Sequence, residues 1–200
     1  MKTPDVILLA GRPWAGKTSI ANEAVALGAE FGYSHLSIGK HMRDIRSGKQ
    51  TSAYADRLDD RTLQYGPLKV LPADVMIGLF EEFIKQGDGA VAIVDGFPRF
   101  PDRPAPLRDS TRRLGISILG ICRVRVEASV LHNRFEALSG TRDRVESDLS
   151  VRLAAHNDFI APTLDLLAQE HTSFNLDGTL PIAENAERLF RICEDLRATK

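Results

Sequence analysis

Short apolar runs alternate with amphipathic stretches along the whole chain. Val6 to Ala10 is an unbroken apolar run that stops at Gly11, as a strand buried on both faces would. Ser19 to Glu30 has a helical pattern. His35 to Ser37 predicts a short strand, followed by a helix through Arg46. Pro72 opens a clear helix. Val75, Leu79 and Phe83 fall on one face of it, joined by Met76, Phe80 and Ile84. Ala90 to Val94 and Ile116 to Val124 predict two more buried strands, the second followed by a helix near Val130. Ser147 is placed to cap a long helix carrying Leu149, Leu153, Ile160, Leu164 and Leu167, with a kink expected at Pro162. Thr172 to Leu176 predicts a last strand. Pro181 starts a closing helix with Ile182, Ala186, Leu189 and Cys193 on one side.

This βαβα rhythm predicts a parallel sheet wrapped by helices in a single α/β domain. Two stretches interrupt it. Residues 38–71 are helical and polar with no strand of their own, and residues 137–146 are short, charged and loop-like. The proline-rich stretch PRFPDRPAPL, residues 98–107, predicts a rigid loop.

Two hundred residues suffice for one such domain and a sizeable core. The formal net charge of -1 gives no sign of a nucleic-acid surface. The cations are lopsided, 19 Arg against 7 Lys. Guanidinium binds phosphate through two parallel hydrogen bonds and keeps its charge when buried, so the excess is compatible with phosphate chemistry. Cys122 and Cys193 lie far apart without a CxxC partner and are expected to be buried apolar residues. The five histidines are scattered and predict surface or packing roles. No leader pattern opens the chain and no apolar run reaches membrane-spanning length, so a cytoplasmic location with no membrane partner is expected.

The string Gly11-Arg12-Pro13-Trp14-Ala15-Gly16-Lys17-Thr18 fits G-x-x-x-x-G-K-[ST] at every defined position. It follows a predicted strand and opens a predicted helix, which is the context the motif requires. Glycines let successive backbone N–H groups turn inward around phosphates, and the helix N-terminus adds positive partial charge. Lys17 would reach the β- and γ-phosphates of a nucleotide, and Thr18 would ligate Mg²⁺. Asp95, ending the Val91–Asp95 run, is placed for the same ion.

Asp95-Gly96-Phe97-Pro98-Arg99, taken with the phosphate loop, resembles the DGFPR signature of adenylate kinases and related nucleoside monophosphate kinases. Ser37 to Arg43 resembles the segment that opens that family's acceptor-binding insertion. Arg142-Asp143 and Arg152-Leu153 resemble the arginines flanking its lid, and Asp177-Gly178-Thr179 its donor-adenine loop. The resemblance covers nearly the whole chain. It implies a P-loop three-layer αβα sandwich with a parallel sheet, an acceptor-binding insertion at 38–71 and a short lid at 137–146. It implies transfer of the ATP γ-phosphoryl group to a nucleoside monophosphate, with ATP and Mg²⁺ as cofactors and a monomeric protein. By the same resemblance, Gly11, Ala15, Gly16, Lys17, Thr18 and Ser19 hold the donor phosphates, and Arg134 and Gly178 meet the adenine. Ile38, Arg43, Gly96, Arg99 and Arg103 face the acceptor. Lys17, Arg99, Arg142 and Arg152 carry the transfer, and Thr18 and Asp95 serve the metal.

The chain departs from the family at several of these places. Trp14 stands where the loop usually has glycine, and Thr18 where glycine usually follows the lysine. Leu138 stands where a further arginine is common. Ile38 replaces a base-contacting threonine, Lys40 an aspartate, and Arg103 the glutamine that reads adenine. An amide both donates and accepts, whereas arginine only donates. The expected acceptor is therefore not AMP, or AMP held without a side chain reading its base. Two other readings stay open: a P-loop kinase for a non-nucleotide or unusual nucleotide metabolite, and a nucleotide-binding regulatory protein with little turnover.

Overall fold

The computed structural model describes residues 3–59, 71–87, 89–99, 104–138 and 149–200. Among them five strands form one sheet: β1 (Asp5–Gly11), β2 (Tyr33–Ser37), β3 (Val91–Asp95), β4 (Ile118–Arg125) and β5 (Ser173–Asp177). The spatial order is β2-β3-β1-β4-β5, and every pairing is parallel. A parallel sheet carries its crossover helices on both faces, so its inner strands are apolar in both directions. Val6, Leu8 and Ala10 of β1 pack into the layer on one face, and Ile7 and Leu9 into the layer on the other.

The first layer holds α2 (Ile38–Arg46), α4 (Ala73–Gln86), α5 (Ala105–Leu114) and α8 (Ala161–Leu167). The second holds α1 (Lys17–Leu27), α6 (Ala128–Leu138) and α9 (Ile182–Ala198). The short α3 (Ala55–Leu58) follows α2, and its Leu58 is fully buried in the first layer. The architecture is the three-layer αβα sandwich expected from the alternating pattern. Cys122 and Cys193 are both free and buried, and burial pushes each thiol up to about 12. No helix among the described residues is long and apolar enough to cross a membrane.

Three local expectations are corrected. The helix after the phosphate loop runs Lys17–Leu27 and closes at Gly28, where a Cβ would lie 2.4 Å from the Tyr33 ring; a 3₁₀ turn, Ala29–Phe31, follows. The proline-rich stretch gives way to α5 at Ala105, because Pro106 sits in the first turn, where its missing N–H costs nothing. The helix expected over 147–167 is α7 (Leu149–Ala155) and α8, joined by a π-helical stretch at His156–Ile160. Pro162 lies two residues past its end. With no N–H, Pro162 cannot bond the carbonyl of residue 158, and the wider π spacing absorbs that gap. The expected cap, Ser147, lies outside the described residues.

The fold sets the site through register. Leu9 pairs with Asp95 on one side of β3 and Ser37 pairs with Asp95 on the other, so β2 and β3 end at the same level and β1 runs two residues further, to Gly11. Phe97, two residues past β3, stacks on Phe80 of α4 with centroids 5.0 Å apart and planes 14° apart. Both side chains are essentially inaccessible. Phe80→Ala should therefore cost about 3–5 kcal/mol in a urea titration with unchanged m-value. A loss below about 1 kcal/mol would show that the Phe80–Phe97 stack does not anchor this loop.

Candidate active site

The loop between β1 and α1 is built from backbone conformations that few side chains accept. Gly11 has φ 147°, and a Cβ there would lie 2.6 Å from the Val124 carbonyl oxygen of the neighbouring strand. Gly16 has φ 92°. Trp14 has φ 60°, a left-handed conformation that costs a non-glycine residue about 1–2 kcal/mol. The loop therefore keeps the curvature its glycines permit and carries one bulky side chain at a strained position.

Lys17 bends back over this loop. Its Nζ donates to the Arg12 carbonyl oxygen at 2.9 Å. Burial lowers its pKa, Asp95 opposes that, and Arg99 adds to it. The Thr18 hydroxyl donates to Asp95 Oδ2 at 2.5 Å. Asp95 is 4% exposed. Burial pushes its carboxyl up, but the His35 ring, the Lys17 charge and the Thr18 hydroxyl outweigh that and hold it below the usual carboxylate range. His35 Nε2 lies 3.8 Å from Asp95 Oδ2, an ion-pair rather than a hydrogen-bond distance, while Nδ1 meets Asn22 Oδ1 at 2.8 Å.

Next to these groups lies a cleft of about 490 Å³. Lys17, Arg43, Arg46, Arg99 and Arg152 line it together with Thr18, Asp95 and Gly96. Met42, Leu71, Met76, Phe97 and Ile160 give it an apolar floor. The cations crowd one another. Arg99 is lowered by burial and by the charge of Arg152, and Arg152 by burial and by the charge of Arg43. Such a cluster is a binding site for anions, since an anion removes the repulsion and gains bidentate hydrogen bonds. The apolar floor beside it suits a flat, uncharged group attached to that anion.

Among the described residues no three His, Cys, Asp or Glu side chains gather as a metal site. Thr18 and Asp95 nevertheless suit Mg²⁺, which takes hard oxygen donors. It commonly binds through one or two protein oxygens and completes its shell from phosphates and water. The pair fits that ion only alongside a bound phosphate.

No family model matches the chain. The adenylate kinase of Flavobacterium johnsoniae is 26% identical over 200 residues, 95% of this chain and 98% of that protein. The adenylate kinase of Mycobacterium tuberculosis is 28% identical over 176 residues, 87% of this chain and 92% of that protein. By sequence the chain is a relative of the adenylate kinases. A solved structure described as "Crystal structure of APE1195" superposes with a TM-score of 0.58 over 98% of this chain and 97% of that one. At 14% identity it speaks for the fold alone.

Within this adenylate kinase relative, Lys17, Thr18, Arg43, Asp95, Gly96, Arg99 and Arg152 come together in the cleft, although they come from distant parts of the sequence. Gly11 lines the same cleft; Ala15 is buried beneath the loop, and Ser19 is exposed on α1. Ile38 is not brought in: it is 1% exposed and packs in the first core layer, because the first turn of α2 turns that position inward. Arg134 lies behind the loop, where it donates to the Gly178 carbonyl oxygen at 2.7 Å and the Trp14 carbonyl oxygen at 3.3 Å. Gly178 itself is packed so closely that a Cβ would lie 2.4 Å from Val126 Cγ2. Arg103, Arg142 and most of the 137–146 stretch lie outside the described residues, as does the Leu138 side chain.

A second cavity of about 1030 Å³ opens on the β4–β5 side of the loop. It is lined by Gly11, Arg12, Val124, Val126, Asp177 and Thr179 among others. Arg123 reaches across its wall to Asp165 Oδ1 at 2.6 Å and the Leu164 carbonyl oxygen at 3.0 Å.

Three residues of this region carry no local sequence signal. Arg46 lines the cleft while bonding Asp59 Oδ1 at 2.8 Å and the Leu58 carbonyl oxygen at 2.7 Å. His35 stands behind Asp95. His156, in the π-helical stretch, lines both cavities, and neither ring nitrogen has a hydrogen-bond partner among the described residues. Burial, with Lys17, Arg12 and Arg123 nearby, lowers its pKa from 6.5 to about 4. The folded chain then binds fewer protons than the unfolded chain between these values, so stability must fall as pH drops from about 6.5 towards about 4. His156→Phe should flatten that slope by on the order of 1 kcal/mol, after allowance for the solvent the ring still meets. Urea midpoints measured across the range check this; parallel wild-type and variant curves would contradict it.

Proposed function

We propose that the chain is an ATP-dependent phosphotransferase of adenylate kinase type, moving the γ-phosphoryl group of ATP to the phosphate of a nucleoside monophosphate. One observation carries the reading: Lys17, Arg43, Arg99 and Arg152 share one cleft with the Thr18–Asp95 pair. The names and coverage of its relatives support it.

The acceptor phosphate has a second pKa of about 6 and is largely ionised near neutral pH, so no catalytic base is needed. The task is to hold two mutually repelling phosphates in line and neutralise their charge. Lys17 would leave the Arg12 carbonyl oxygen for the β- and γ-phosphates. Arg43 and Arg99 would clamp the acceptor phosphate, and Arg152 would meet the transferring group, joined by Arg142. Thr18 and Asp95 would hold Mg²⁺, which supplies charge neutralisation at the phosphates when bound. The second cavity, beside Asp177 and Thr179, would take the donor nucleoside, with Arg134 fixing its wall. The stretches 38–71 and 137–146 would act as acceptor-binding insertion and lid, excluding water that would otherwise hydrolyse ATP.

The test is ADP release from Mg-ATP against AMP, GMP, CMP, UMP, the deoxynucleotides and no acceptor. Acceptor-dependent release is expected with at least one monophosphate, and Lys17→Ala should lower it by at least about a hundredfold. ATP binding without release for any of them would overturn the reading. It would favour a different phosphate-bearing acceptor or a regulatory protein.

A further inference from the structure

Arg152 does not reach into the cleft unsupported. Its guanidinium carbon lies 5.1 Å from the centroid of the Trp14 ring. The ring itself is held edge-on against Phe135, centroids 4.9 Å apart and planes at 85°. The Trp14 backbone is tied from behind by Arg134. An indole at a left-handed backbone position is costly where glycine would be at ease, and such outliers persist when the surroundings demand them.

We propose that Trp14 is a positioning residue for Arg152. Its indole face holds the guanidinium over the phosphate loop before any anion arrives. The inference rests on the phosphoryl-transfer reading and deepens it. Arg152 faces other cations in the cleft, chiefly Arg43 and Arg99, and their repulsion disfavours its place there. The π-face of an indole attracts a cation without adding a competing charge. The arginine therefore waits beside the loop and passes to the phosphoryl oxygens as charge develops there. A group that acts in the transition state changes kcat more than KM.

A double-mutant cycle on the full chain reads this coupling. Trp14→Gly removes the indole while easing the backbone, so the variant keeps a comfortable loop. It should lower kcat about tenfold with both KM values within about twofold of wild type, and Trp14→Phe should recover most of the loss. In an Arg152→Gln background, Trp14→Gly should change kcat by less than about twofold. An equal loss in both backgrounds, no loss at all, or a Trp14→Phe variant as slow as Trp14→Gly would overturn the proposal.

Trp14 is the sole tryptophan, so its emission reads the pairing without turnover. Arg152→Gln should change the emission of the ligand-free protein, and unchanged emission would overturn the proposal. If the wild type releases no ADP with any acceptor, the phosphoryl-transfer reading fails, and the emission arm still decides whether the two side chains are paired.

Discussion

Five cations line one cleft, and Asp95 is the one carboxylate among the described residues that line it. Their repulsion is the constraint on which the rest of the structure depends. Arg99 and Arg152 each depress the pKa of a neighbouring cation or suffer depression from one, and Lys17 is depressed by burial. Asp95 is itself engaged by Thr18, and Asp59 pairs with Arg46 from outside the cleft. A flexible chain would let these side chains drift into water. The chain instead holds them through a sheet whose strands all point one way, with the site at their C-terminal ends. Lys17 follows β1, Arg43 sits on the helix after β2, Arg99 follows β3, and Arg152 arrives from α7. Ligands commonly bind where the strands of an open parallel sheet end at a change of strand order, here between β1 and its neighbours β3 and β4.

Small devices hold each cation in place. The Phe80–Phe97 stack pins the segment carrying Arg99 to α4. The Asp59 carboxylate and Leu58 carbonyl hold Arg46 at the edge of the cleft. The Arg12 carbonyl oxygen occupies Lys17 until a stronger anion displaces it. The two polar contacts, at Arg46 and Lys17, are modest ones that an anion with several charged oxygens can outcompete. Phosphate binding would release the electrostatic repulsion among these cations.

The sequence made the sheet legible because buried parallel strands are almost uniformly apolar; β1 and β3 needed no other clue. The phosphate loop was equally plain, since its glycine spacing follows from backbone geometry that few alternatives satisfy. The order of the strands was not legible, because nothing local says which of β3 and β4 flanks β1 on which side. α5 was hidden by prolines that normally mark loops but are tolerated in a first turn. His35, Arg46 and His156 were missed for a shared reason: a lone polar residue on a helix or strand has no periodic signature, and only the fold brings it to the cleft. Ile38 shows the converse. A motif position suggested an acceptor contact, and the helix phase turned the side chain into the core.

The central claim is that one cleft holds two phosphate-bearing molecules at once. Calorimetric titration of a non-hydrolysable ATP analogue with Mg²⁺, first alone and then with the accepted monophosphate at saturation, addresses it directly. One site is expected for each, occupied together, with the analogue's affinity preserved or raised by the second ligand as the shared cations are neutralised. Displacement of the analogue by the monophosphate, with the two competing for a single site, would contradict it.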